Sequence, residues 1–197
     1  MANPPERADV GCKTVAAKLY VTRHRGVTYS QQHDYPHEWA IAIAGGLPHK
    51  EEYLAADTTW GDKNLWGLIA MYYGGAIGTY CKKMILADSS SEAEGIVTSK
   101  AAEVAIVRRA VKRAWGASNE NPTLILTDNE ASRKVAHNLK NSVRAKHALR
   151  RYYVLQQRIK DGAVVVKHVP DKMNPADYLT KRIDAKKHHK SVAFASG

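Results

Sequence analysis

Apolar and polar positions alternate with a period of two between residues 53 and 83, and the period lengthens toward 3.6 after residue 89. The first regime contains YLAAD (53–57), LWGLIAMYY (65–73) and AIGTYCKK (76–83). TTWGDKN separates the first run from the second as a turn, and Gly74 and Gly75 join the second to the third. β-rich runs linked through Gly-Gly are a hairpin signal, so residues 53–83 are expected to form three consecutive antiparallel strands.

The second regime opens with a helix over residues 89–115. Its start carries two overlapping capping boxes, Ser89 with Glu92 and Ser91 with Glu94. Val97, Ala101, Val104, Val111 and Trp115 fall on one face and define the expected buried stripe. At about 100° per residue, Glu94 lies roughly 60° from that stripe and Glu92 points roughly the opposite way. Glu94 is therefore placed to look along the sheet, and Glu92 toward water.

After the polar loop GASNENP, the run TLILTD (123–128) reads as a buried strand ending in Asp128, and NEASRKVAHNL continues as a helix. A basic linker leads to a second long helix over 146–161, whose apolar line is Ala148, Tyr152, Leu155 and Ile159. A strand over 163–168 then ends at His168, and a Pro-bounded loop enters a helix carrying Asp177. Strands alternating with helices imply parallel pairing, so the whole is a mixed α/β sheet of five strands, the first three antiparallel, flanked by helices. Upstream, KTVAAKLY allows an amphipathic helix and VTYS a short strand; residues 30–52 receive no assignment. Residues 1–29 are expected to be an N-terminal tail and connection, 30–183 the domain proper, and 184–197 a basic, flexible tail, with the peptide cut from something longer.

Composition narrows the class. The chain has 197 residues, 44% of them hydrophobic, which fits one core and little more. No stretch approaches the roughly 18 apolar residues that cross a bilayer, and the N-terminus lacks the apolar core of a secretory signal, so a soluble intracellular protein is expected. Cys12 and Cys81 have no metal-ligand spacing and read as reduced thiols. The formal net charge of +11 is concentrated: between Glu130 and Asp161 the chain carries nine Lys or Arg and no acid. Such a segment fits a polyanion partner, most often nucleic acid, and equally a solvated helix face of a basic protein. An aromatic or Leu-rich face for membrane insertion is missing from it.

Four acids stand at element ends or on a helix flank: Asp57, Glu94, Asp128 and Asp177. Taken singly, each has an ordinary structural role as a turn former, a capping residue or a helix N-terminal charge. Brought to one end of one sheet they would repel and raise one another's pKa, and divalent cations would be needed among them. Oxygen-only ligands favour Mg²⁺ or Mn²⁺, and a pair of ions would bind both the attacking and the leaving oxygen of a phosphodiester. His168, taken alone, is more often structural than catalytic.

The motifs in their order resemble the ribonuclease H domain of copia-type LTR retrotransposon polyproteins. DSSSEAEG resembles that family's S-S-T-E-A-E-Y segment, LILTDNEAS its D-N-x-x-A strand and turn, and NPADYLTKR its A-D-x-L-T-K ending. VRAKHALRRYYVLQQRIKDGAVVVKHVP is similar to the R-T-K-H-I run that closes on V-P, and KLYVTRHRGVTYS to the piece joining the reverse transcriptase to this domain. The resemblance implies an RNase H-like fold, with Asp57, Glu94, Asp128 and Asp177 as ligands of two Mg²⁺ ions, for which Mn²⁺ may substitute, and His168 as a mobile histidine aiding proton transfer or product release. It also implies Arg144, Lys146, His147, Arg150 and Arg151 as phosphate contacts. The partners it implies are an RNA·DNA hybrid and the reverse transcriptase of the same polyprotein, in the cytoplasm within virus-like particles. Departures are Gly95 in place of Tyr, Thr59 in place of a second Asp, Tyr153 in place of His, and the weak match of KNLWG to R-S-T-x-G.

The expected activity is endonucleolytic cleavage of the RNA strand of RNA·DNA hybrids during reverse transcription. Two rivals stand beside it. An integrase or transposase of the same fold runs Asp, Asp, then Glu, whereas here Glu comes second. A nucleic-acid-binding module that needs its reverse transcriptase for turnover would keep the basic surface without cutting.

Overall fold

A computed structural model describes residues 20, 26–27, 29, 52–60, 64–84, 87–137, 149–181 and 183–196. Strands β1 (Tyr53–Thr59), β2 (Leu65–Tyr72) and β3 (Gly75–Lys83) form an antiparallel meander. The two-residue link between β2 and β3 is Tyr73–Gly74, both at positive φ (49° and 80°), the geometry that matches a hairpin turn to the twist of its strands. Helix α1 (Ser90–Ala114) follows, then β4 (Thr123–Thr127), α2 (Glu130–His137), α3 (Leu149–Lys160) and β5 (Val164–His168). A 3₁₀ turn (Asp171–Met173), the single-turn helix α4 (Asp177–Thr180) and helix α5 (Ala185–Ser196) close the chain.

The sheet order is β3-β2-β1-β4-β5, with β1, β4 and β5 parallel. The mixed five-stranded architecture expected from the sequence is the one observed. Its two faces bury separate clusters, as the two-residue alternation of a strand requires. Leu54, Ala56, Leu68 and Ala70 face α1 and α3, meeting Val97, Ala101, Tyr152 and Leu155. Tyr53, Ala55, Ile69, Met71, Leu124 and Leu126 face the other way, covered by Val169, Ala176 and Phe194.

Two expectations are corrected. The stripe on α1 is buried only in its first half: Val97 and Ala101 are inaccessible, but Val111 is 42% and Trp115 81% exposed. A 25-residue helix is about 37 Å long, longer than the short strands beneath it. Asp177 opens a helix as expected, one of a single turn. The segment expected to be a flexible tail contains α5, whose Phe194 is buried and lies 6.5 Å, ring to ring, from Tyr53. The expected helix over KTVAAKLY, the strand over VTYS and the unassigned residues 30–52 lie almost wholly outside the described residues.

Candidate metal centre

The parallel register brings the acids to one level. Ala55 pairs with Leu126, so Asp57, two residues further along β1, lies level with Asp128, the residue that follows β4. Thr127 pairs with His168, the last residue of β5. Asp57, Asp128 and His168 thus share the C-terminal end of three parallel strands, the edge at which open α/β sheets bind their ligands.

Asp177 arrives from the opposite side of the chain by a close approach. Gly67 is the cross-strand partner of Asp57, and a Cβ there would lie 2.7 Å from Leu179 Cβ and 2.9 Å from Thr180 Cγ2. The bare glycine lets α4 lie flat on β2, and Thr180 Oγ1 then donates a hydrogen bond to Asp57 Oδ2. Asn174 fixes the approach, donating through Nδ2 to the Ala56 carbonyl at 2.9 Å and accepting from the Ala176 amide at 3.0 Å. One carboxylate oxygen from each of Asp57, Asp128 and Asp177 lies within 4.8 Å of the others, with Asp57 and Asp177 buried and Asp128 half-buried.

Glu94 reaches the centre from α1. Ser89 is the residue that caps the helix: its Oγ accepts from the Glu92 amide at 3.1 Å, while Glu92 Oε2 accepts from the Asp88 amide at 2.8 Å. The second capping box is not used, and Glu94 is free to face inward, where it is buried. Gly95 beside it accommodates the Tyr152 ring, whose hydroxyl would be 2.1 Å from a Cβ at that position. Glu94 Oε2 is buried with no hydrogen-bond partner among the described residues. It stands outside the 4.8 Å group but within its field.

Burial and mutual repulsion set the electrostatics. Burial pushes the Glu94 carboxyl up to about 9, with Asp128 and then Asp57 adding to the rise. Burial raises Asp57 to about 7 despite the Thr180 hydrogen bond and the Lys181 charge. Asp128 is raised as well, by burial first. Among the described residues, two ammonium groups meet these acids. Lys181 Nζ lies 3.2 Å from Asp57 Oδ1 and 3.1 Å from Asp177 Oδ1, and Lys187 Nζ is on Asp177 Oδ2. Burial opposes the charge of Lys181, but Asp57 and Asp177 outweigh it and hold the ammonium well above its ordinary range.

The donor set fits a hard divalent ion on its own chemistry: carboxylate oxygens only, three of them converging, one more orphaned in the interior, and cations already drawn in from the chain.

His168 does not join the carboxylate group. Its Nε2 is 3.1 Å from the Asp128 carbonyl oxygen, at the flank of the cluster, and its charge helps lower Glu130, which the Arg133 hydrogen bond first holds at about 2. Arg144, Lys146 and His147 lie outside the described residues, as do the side chains of Arg150 and Arg151 on α3. Sequence reasoning missed Asn174, Thr180, Lys181 and Lys187. Thr180 and Lys181 had a signal, since they follow Asp177 by three and four residues and so share its side of a helical turn. Lys187 had none, because only the folding back of α5 brings it in.

Sheet order, strand directions and helix placement together define the RNase H-like fold. Among solved structures, the chain is similar to LC11-RNase H1 in complex with an RNA/DNA hybrid, with a TM-score of 0.52 and 12% identity over 66% of this chain and 93% of that one. It is also similar to RNase H1 from the halophilic archaeon Halobacterium salinarum NRC-1 (TM-score 0.49, 18% identity, 65% and 92% covered). A third similarity is to the foamy viral protease-reverse transcriptase in complex with an RNA/DNA hybrid (TM-score 0.45, 15% identity, 78% and 21% covered). No family model matches the sequence, and no curated protein does.

Proposed function

We propose that the protein is a ribonuclease H, a metal-dependent endonuclease that hydrolyses the RNA strand of RNA·DNA hybrids, and that it serves the reverse transcriptase of a copia-type element. The observation that carries this reading is the convergence of Asp57, Asp128 and Asp177 within 4.8 Å at the C-terminal edge of an RNase H-like sheet. An RNase H-like neighbour that holds an RNA/DNA hybrid supports the substrate class.

In this reading Asp57, Glu94, Asp128 and Asp177 hold two Mg²⁺ ions, with Mn²⁺ as a substitute. The ions would supply an activated water and stabilise charge on the leaving oxygen. The chain's own part is to present carboxylate oxygens in a fixed cluster. Asn174 and Thr180 hold the α4 and β1 ligands against each other. His168, held beside Asp128, would exchange a proton at the rim of the site. Arg144, Lys146, His147, Arg150 and Arg151 would grip phosphates, and contacts to 2′-hydroxyls would select the RNA strand.

Incubation of the purified protein with end-labelled RNA·DNA hybrid, duplex DNA and duplex RNA, with and without Mg²⁺, tests the reading. The expected result is Mg²⁺-dependent internal cutting of the RNA in the hybrid alone. Cutting of duplex DNA would point to an integrase or transposase type of nuclease. Tight hybrid binding without cutting, even with the reverse transcriptase added, would make the chain a binding module.

A further inference from the structure

The four acids are not served evenly by the chain's own cations. Both carboxylate oxygens of Asp177 meet an ammonium group, Oδ1 that of Lys181 at 3.1 Å and Oδ2 that of Lys187. Asp57 shares Lys181 at 3.2 Å through Oδ1 and takes the Thr180 hydroxyl on Oδ2. Asp128 and Glu94 carry no ion pair among the described residues, and Glu94 Oε2 has no partner there at all. The cluster therefore has a side at Asp177 with both oxygens ion-paired and a side at Asp128 and Glu94 that the Lys181 charge reaches without an ion pair.

The two lysines are built in by different means. Lys181 follows Asp177 by four residues and caps α4, its amide donating to the Asp177 carbonyl at 2.9 Å. Lys187 is delivered by α5, which Phe194 and Ser191 anchor into the sheet face and whose start is fixed by Asp184 Oδ1 accepting from the Lys187 amide at 2.7 Å. Lys187 Nζ also donates to the Asp171 carbonyl at 3.3 Å, which holds the ammonium on the acid side of the loop. Both ammonium groups are only half-buried, beside carboxylates that are nearly inaccessible and that would otherwise be left without a counter-charge.

We propose that Lys181 and Lys187 are resident counter-cations that make the two metal positions unequal: the first divalent ion binds on the Asp128–Glu94 side, with Asp57, and the second must displace ammonium groups from Asp177. This rests on the nuclease reading and deepens it. Lys187 is then a positioning residue through which α5 sets the affinity of the second ion, and the metal-free fold stays intact because Asp57 and Asp177 already have partners.

Counting bound Mn²⁺ by electron paramagnetic resonance in the full chain, beside thermal melts in EDTA and in Mg²⁺, tests this. Wild type is expected to bind one Mn²⁺ tightly and a second at least ~10-fold more weakly, the range by which an adjacent charge shifts a carboxylate's affinity for a proton. Lys187→Met should tighten the second ion by roughly tenfold or more and leave the first unchanged. It should also melt lower than wild type in EDTA and recover in Mg²⁺, while Lys187→Arg keeps the wild-type pattern. If Lys187→Met does not fold, Lys187→Gln serves the same comparison. Two equal Mn²⁺ sites in wild type, or a second site unmoved by removal of Lys187, would overturn the inference while leaving the nuclease reading standing. Absence of any Mn²⁺ binding in wild type, with no hybrid cutting, would overturn both.

Discussion

At the scale of single residues, the centre is shaped by the absence of a side chain at Gly67 as much as by the acids. A methyl group there would overlap Leu179 and Thr180, so Gly67→Ala is expected to lift α4 from β2 and cost ~1–3 kcal/mol. Urea unfolding measures the loss, and a neutral substitution would show that α4 is not held this closely. The acids themselves predict a pH dependence. Asp57 and Glu94 are raised in the folded state to about 7 and about 9. Between their ordinary values and these, the folded protein binds more protons than the unfolded chain, so their contribution is full at low pH and is lost as pH rises. In EDTA the melting temperature should therefore fall from about pH 4.5 to about pH 9, and the gain on adding Mg²⁺ should grow over the same window. A flat profile would mean that these carboxylates are ionised without difficulty.

The acids were legible because each lies where local pattern stops. Asp57 and Asp128 follow apolar runs, and Glu94 sits off the helical stripe by an angle that periodicity alone supplies. Which of two serines caps α1 was not legible, since both spacings satisfy the same rule; the choice of Ser89 is what leaves Glu94 for the centre. Gly95, a departure from the motif it resembles, is explained by the Tyr152 ring lying over it, a contact 57 residues distant in the chain.

At the scale of elements, the meander of β1–β3 and the parallel addition of β4 and β5 followed from a period of two giving way to 3.6. Helix α5 did not, because its sequence AKKHHKSVAFAS places five consecutive lysines or histidines before a single aromatic anchor. Amphipathic pattern is a weak guide where one aromatic side chain supplies most of an element's apolar anchor. That makes Phe194 decisive: Phe194→Ala is expected to cost ~3 kcal/mol and to release α5 from Tyr53. Amide hydrogen exchange should then show loss of protection across residues 185–196 first; unchanged protection would mean that other contacts hold the helix. The exposed end of α1 was misjudged for a related reason, since periodicity reports which face would be buried and not how far the neighbouring sheet extends.

At the scale of the whole molecule, a chain of net charge +11 gathers Asp57, Asp128 and Asp177 at one edge of the sheet, so the site is a small negative focus in a chain of positive net charge. On the proposed reading a polyanion would be drawn to such a chain by its phosphates, and divalent ions would reconcile the acid cluster with the backbone that must approach it. Binding and cutting are then separable, because the positive surface and the acids are different residues. Asp128 carries the separation most cleanly, lying in the 4.8 Å group without an ion pair to the described residues. The decisive measurement compares wild type with Asp128→Asn on a labelled RNA·DNA hybrid in Mg²⁺, with hybrid binding followed in parallel. The expected result is unchanged binding and loss of cutting; undiminished cleavage by Asp128→Asn would contradict the assignment of the centre.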